Sequence, residues 1–182
     1  MFTRFYEGAS YDKCVEITAY GGAGAAVDAA DLELWGYING DTDSTPKYKL
    51  ALSDVLNGQS LDVLVLCNSR TKRDAKITDE EWLAMGIAFP SGSVLNFNGN
   101  DQLQLVKVGD DVTILDVLGG DSGKTNAIAG PNQCAVRKPN TVPCTSIDAA
   151  WCNDNAWSVL YELKEDPNRK CDMLQKRCDT CS

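Results

Sequence analysis

Apolar and polar residues alternate with a period of two in several short stretches of the chain, and turn-forming residues close most of them. In residues 14–20, Val15 and Ile17 alternate with Glu16 and Thr18 until Gly21-Gly22 ends the run, the pattern of a half-buried strand. Residues 32–38 and 48–52 repeat it. The first of these ends at Asn39-Gly40, and the polar stretch up to Pro46 predicts a hairpin with a long tip. Residues 61–66 are nearly continuous in apolar side chains, which predicts a central strand covered on both faces. Alternation resumes at 102–107 and 112–118 across a hairpin-like Gly109-Asp110-Asp111 link, and 135–137 and 158–163 predict two more short strands.

One helix interrupts the strands. Thr78 and Glu81 have the spacing of a capping box, in which each side chain bonds the other residue's backbone amide, so a short helix carrying Trp82, Leu83 and Met85 is predicted to start there. Glycine, asparagine and serine dominate 119–132, which reads as loop. Seven or eight short strands with one inserted helix fit an all-β fold, a two-sheet antiparallel sandwich. Its expected core includes Val15, Ile17, Leu34, Leu50, Val63, Val65, Leu103, Leu105, Ile114 and Val117. Residues 1–163 are assigned to that domain, and the polar residues 164–182 to a cysteine-rich, disulfide-stapled C-terminal tail.

Composition narrows the function. The 182 residues, 43% hydrophobic, support one domain with a sizeable core. A formal charge of −9 repels phosphate backbones, which excludes nucleic acid as the default partner. The sequence has no histidine, which removes the commonest general base and the commonest nitrogen ligand for a catalytic metal. No apolar run approaches the roughly 20 residues of a membrane-spanning helix. Met1 is followed by no long apolar segment, so an export signal, if there was one, is expected to have been removed.

Cys14, Cys67, Cys134, Cys144, Cys152, Cys171, Cys178 and Cys181 form an even set, the usage of an oxidising compartment: the extracellular space, or alternatively the lumen of an organelle. Their connectivity is open. Cys178-Asp-Thr-Cys181 has redox or zinc spacing, but it lies in the C-terminal tail rather than at the start of a helix after a strand, and disulfides are the preferred reading.

The remaining chemistry is sparse. Asp41 and Asp43 begin like a calcium loop, yet Pro46 stands where an EF-hand needs glycine and Leu52 where it needs glutamate, so only an irregular site is open to them. Asp110 and Asp111 read as a solvated hairpin tip with calcium as the lesser alternative. Arg70, Lys72, Arg73 and Lys76 are the one concentrated basic segment, either a solvated loop or a contact for an acidic protein, a sulfated glycan or a lipid headgroup. Serines lack a histidine to activate them, and neither Gly-x-Ser-x-Gly nor Ser-x-x-Lys occurs, so no enzyme and no catalytic residue are expected. Asn98-Gly99 predicts a tight turn with Asp101 bonded to its amides. Glu7 is expected to satisfy a buried amide or Arg137, and Asp116 to be a solvated strand position.

Several of these segments, in this order, resemble the lamin-tail domain family in its secreted microbial form. The opening Phe5-Tyr-Glu-Gly-Ala-Ser-Tyr-Asp-Lys-Cys-Val-Glu-Ile17 is similar to the family's aromatic-Glu-Gly-Ser entry, Asn-Lys and Glu-Ile strand. Gly24-Ala-Ala-Val-Asp28 is similar to its Val-Asp-Leu turn. Phe97-Asn-Gly-Asn-Asp101 resembles Phe-Asn-Gly-Asp-Asp, with Asn100 in place of the first aspartate; Ile114-Leu-Asp-Val-Leu-Gly119 resembles Val-Ile-Asp-Val-Ile-Gly. Val136-Arg-Lys138 and the tryptophan of Asp148-Ala-Ala-Trp151 complete the series, while the added cysteines and the tail depart from it. The resemblance implies an immunoglobulin-like fold and a module that binds, anchors or displays, with no catalytic residue set. The expected function is therefore that of a secreted or lumenal non-catalytic module making protein or glycan contacts at a cell surface, in a matrix or in a multisubunit assembly. A secreted hydrolase or its accessory carbohydrate-binding module, and a calcium-dependent adhesin, are the alternatives. No cofactor is expected, calcium excepted under the last.

Overall fold

In a computed structural model of the chain, which describes residues 1–7, 10–20, 29–37, 45–71, 76–98, 101–119, 133–145 and 157–162, the alternating runs become strands. The strands are β1 (Phe2–Glu7), β2 (Lys13–Thr18), β3 (Leu32–Tyr37), β4 (Tyr48–Ala51), β5 (Val63–Cys67), β6 (Ile87–Ala88), β7 (Gln102–Val108), β8 (Val112–Leu118), β9 (Gln133–Arg137) and β10 (Trp157–Glu162). Helix α1 (Ser53–Leu56) follows β4, and α2 (Asp79–Ala84) precedes β6. The protein is a two-sheet β structure, with a six-stranded sheet in the order β10-β9-β1-β2-β5-β6 and a four-stranded sheet in the order β4-β3-β7-β8. Neighbours run antiparallel, as expected, except that β6 pairs parallel to β5 through Val65 and Ile87 and through Leu66 and Ala88.

In β2, β3 and β7 the period of two places the core where the alternation predicts it, whereas in β5 Leu64 and Leu66 turn inward in place of the expected Val63 and Val65, and in β8 the expected Ile114 and Val117 pack in a separate cluster with Cys144. Val15, Ile17, Leu64 and Leu66 of the larger sheet face Leu34, Leu103, Leu105 and Leu118 of the smaller one, and Phe2, Phe5 and Leu56 pack into the same cluster. Leu50, Val63 and Ile114 of the expected core are only partly buried: Leu50 and Ile114 lie on the edge strands β4 and β8, and Val63 opens β5. The apolar run of β5 has its cover on both sides, because Trp82 of α2 packs with Val65, Cys67, Tyr6 and Cys14 on the face turned away from the core. Helix α2 starts as its capping box predicts: Thr78 Oγ1 accepts from the Glu81 amide at 3.2 Å, and Glu81 Oε2 accepts from the Thr78 amide at 2.8 Å. It ends at Ala84, leaving Met85 as its exposed C-cap.

On that same covered face Cys14 and Cys67 lie opposite one another in the β2/β5 register and form a disulfide with Cα atoms 4.1 Å apart. At the end of β8, Gly119 has φ +105, and a Cβ there would overlap the Asp101 carbonyl oxygen and stand 2.9 Å from Cα of Gln102. Gly119→Ala is expected to destabilise the fold by about 1–3 kcal/mol from backbone strain alone. An unchanged urea midpoint in the variant would count against this close approach.

Candidate functional site

The charged groups divide into an interior set that joins the two sheets and a surface set. Lys13 stands in phase with Val15 and Ile17 and so points into the sandwich, where only a partner makes a charge tolerable. Its Nζ lies 3.0 Å from Glu7 Oε1, donates to the Phe97 carbonyl and to Asn98 Oδ1 at 3.3 Å, and sits 5.6 Å from the Phe97 ring centre. The partner of Glu7 is therefore Lys13 and not Arg137. Asp101 Oδ2 accepts from the Asn98 amide at 2.7 Å while the Asp101 amide donates to the Asn98 carbonyl, the turn expected of this segment. Burial pushes the Glu7 carboxyl above its ordinary value, opposed by Lys13 and reinforced by Asp101.

At the other end of β1, Asp116 is fully buried, contrary to the solvated position expected of it. A bulge in β8 is the reason. Asp116 pairs with Leu105 and Ile114 with Val106, leaving Leu115 unpaired, so the alternation read through Leu115 and Val117 shifts phase. Arg137 Nη2 donates to Asp116 Oδ2 at 2.6 Å, the Phe2 amide to the same oxygen at 2.8 Å, and the Cys144 amide to Oδ1 at 2.7 Å. Arg137 Nε also donates to the Phe2 carbonyl at 2.6 Å, and its guanidinium lies 4.9 Å from the Trp157 ring centre. Burial pushes the Asp116 carboxyl up, against the pull of Arg137 and the Cys144 and Phe2 amides.

On the surface, the Arg70 guanidinium lies 4.4 Å from the ring centre of Tyr11, itself 36% exposed. Loop geometry sets it there: the Arg70 amide donates to Asn68 Oδ1 at 2.9 Å, and Thr71 Oγ1 donates to the Tyr11 carbonyl at 3.1 Å. Lys76 is exposed a few residues on, and Lys72 and Arg73 lie outside the described residues. A second cation stacks elsewhere, Lys49 lying 4.2 Å from the Trp35 ring centre on the smaller sheet.

Asp110 and Asp111 are exposed at the β7/β8 tip, and Asp41 and Asp43 lie outside the described residues. Among the described residues no group of three or more histidine, cysteine, aspartate or glutamate side chains could hold a metal ion. A groove of about 370 Å³ runs beside α1 and α2, with Leu83 and Phe89 in its wall beside the exposed Asp54, Asp79 and Glu80. Cys144 is disulfide-bonded as well as Cys14 and Cys67. Cys134 belongs to β9, and Cys152, Cys171, Cys178 and Cys181 lie outside the described residues, as does the tail. No described helix is long and apolar enough to cross a membrane.

Sequence reasoning missed Lys13 as a site residue and offered Arg137 to Glu7 when its partner is Asp116. The signal was present for both: each is a charge standing two places from a buried apolar residue on the same strand, Val15 for one and Ala135 for the other. No protein-family model matches the chain, and no curated protein or solved structure matches it significantly.

Proposed function

We propose that the chain is a non-catalytic recognition module, immunoglobulin-like and of lamin-tail type, that works in a secreted or lumenal setting. It contacts an acidic protein or sulfated glycan through the surface around Arg70 and Lys76. The observation that carries this reading is the Arg70 guanidinium held on the exposed Tyr11 ring. Arg4, Lys13 and Arg137 are each paired with a carboxylate inside the chain, at 3.3, 3.0 and 2.6 Å. Arg70 is instead presented at the surface by a ring that fixes its position without neutralising its charge, the arrangement that suits planar recognition of sulfate or carboxylate. The chain carries a formal net charge of −9, so a localised basic segment concentrates attraction for an acidic partner.

The lamin-tail reading draws support from where the matched segments meet. Glu7 and Lys13 from the entry segment touch Phe97 and Asn98 of the Phe-Asn-Gly turn, and Asp116 of the late strand pairs with Arg137 of the Val-Arg-Lys segment. Segments that resemble one family in linear order are thus partners in space. Such residues hold sheets together and leave surface loops to differ.

Retention of the intact protein on immobilised heparin and on immobilised polyglutamate tests the proposal. The Arg70→Glu/Lys72→Glu/Arg73→Glu chain is expected to elute earlier than wild type from the matrix that binds. The difference should shrink as ionic strength passes about 0.15 M, where the screening length is about 8 Å. Urea midpoints of the two chains should agree. Equal elution from both matrices would remove the Arg70 segment from the proposal.

A further inference from the structure

Two carboxylates and one ammonium group are enclosed at the Glu7 end of β1, with Glu7 3%, Lys13 4% and Asp101 8% exposed. Their positions determine which of them can accept a proton. Lys13 Nζ has three acceptors, Glu7 Oε1, the Phe97 carbonyl oxygen and Asn98 Oδ1, one for each hydrogen of an ammonium group. Asp101 uses Oδ2 to accept the Asn98 amide. Glu7 Oε2 is buried and has no hydrogen-bond partner among the described residues. Of the oxygens on these side chains the least supported is Glu7 Oε2.

We propose that this cluster is a proton-binding clamp between the two sheets: Glu7 takes up a proton at Oε2 as the pH falls, and with Glu7 neutral the cluster holds Phe97 and Asn98 to β1 and β2 more tightly than with Glu7 ionised. No bond other than O–H is made, and the proton comes from solvent. Among the described residues the charged groups around Glu7 are few. Lys13 faces it from β2 and Asp101 from the segment leading into β7. On the β9/β10 side, Glu162 stands in register with Gln133 at the same end of the sheet. Asp12 is bonded to the Tyr6 hydroxyl at 3.1 Å, and Asp116 and Arg137 meet β1 at Phe2, roughly 17 Å away along the strand.

The sign follows from the upward push that burial gives the Glu7 carboxyl. A carboxyl whose folded value lies above its ordinary one contributes stability fully present below that ordinary value, 4.5, and lost as pH rises through the folded value. Folding in this window therefore takes up a proton.

The experiment is a carboxyl-carbon NMR titration of Glu7 in the intact protein, together with urea midpoints against pH for wild type, Glu7→Gln and Asp101→Asn. The Glu7 titration is expected above 4.5 in wild type and lower in Asp101→Asn, whose amide oxygen still accepts the Asn98 N–H. Glu7→Gln is expected to lose the part of the pH dependence that lies between 4.5 and the Glu7 titration, while the part due to Asp116 stays in both chains. A Glu7 titration at or below 4.5 would overturn the clamp, as would a Glu7→Gln chain with the wild-type pH dependence. The wild-type titration needs no variant, so a Glu7→Gln chain that failed to fold would leave that measurement decisive.

Discussion

Asp116→Ala is expected to destabilise the protein by about 3–5 kcal/mol, the cost of leaving a buried charge without its partner. The carboxylate lies 2.6 Å from Arg137 Nη2, and their side chains are 0% and 2% exposed, so the stranded guanidinium would have no route to water without moving β9. Two further donors lose their acceptor, the amides of Phe2 and Cys144, and these tie the first strand and the 142–144 segment to β8. In urea the expected fall is roughly 2 M in the midpoint. Replacing both partners by apolar residues, Asp116→Leu with Arg137→Met, should cost less than the two single changes added together, because no charge is then stranded. It should still cost something, since the two amides stay unsatisfied. Single and double variants whose effects add would show that the pair is not coupled.

The second large effect is expected from the disulfide. Cys14→Ala/Cys67→Ala opens a loop with a sequence separation of 53, for which the chain-entropy relation gives about 4 kcal/mol. The two cysteines are 1% and 0% exposed beneath Trp82. A mild reductant should therefore leave this bridge intact in the native protein and cleave it only after denaturant is added. Mass spectrometry after alkylation reads this directly, and modified Cys14 or Cys67 without denaturant would show that the face under α2 opens in the native state.

The strands that could be read in the sequence are those whose alternation is unbroken. Val15 and Ile17, Leu103 and Leu105, and the β7/β8 turn at Gly109 to Asp111 needed only the period of two. The first strand could not be found that way, because its register shifts between Phe2 and Arg4, so Phe2 and Phe5 are both in the core at a spacing of three. The two residues of β6 and the four of α1 are too short to show any period. Asp116 was misplaced for the same reason that β1 was missed: a bulge changes which face the next residue takes. The cysteine pairing was closed to sequence reasoning altogether, since eight cysteines allow 105 connectivities and only the β2/β5 register brings Cys14 opposite Cys67. The basic segment was legible as charge, but the Tyr11 platform beneath Arg70 lies 59 positions earlier and depends on a turn at Asn68.

The position of β1 in the larger sheet bears on how the chain is made. One edge of this strand pairs with β2, only a few residues on, and the other with β9, where Phe5 meets Ala135 and Arg4 meets Val136. During synthesis the β1/β2 hairpin can form almost at once, but at 5–20 residues per second its second edge waits on the order of ten seconds for β9 to emerge from the ribosome. Throughout that interval a strand with Phe2, Phe5 and Tyr6 has one row of backbone amides and carbonyls unpaired, a template for the nascent chain beside it. A pairing this distant in sequence also predicts folding in milliseconds to seconds rather than microseconds once the chain is complete. Yield on expression should accordingly respond to translation rate and temperature more than the stability of the finished fold would suggest, because the vulnerable species is the hairpin that is still waiting for β9.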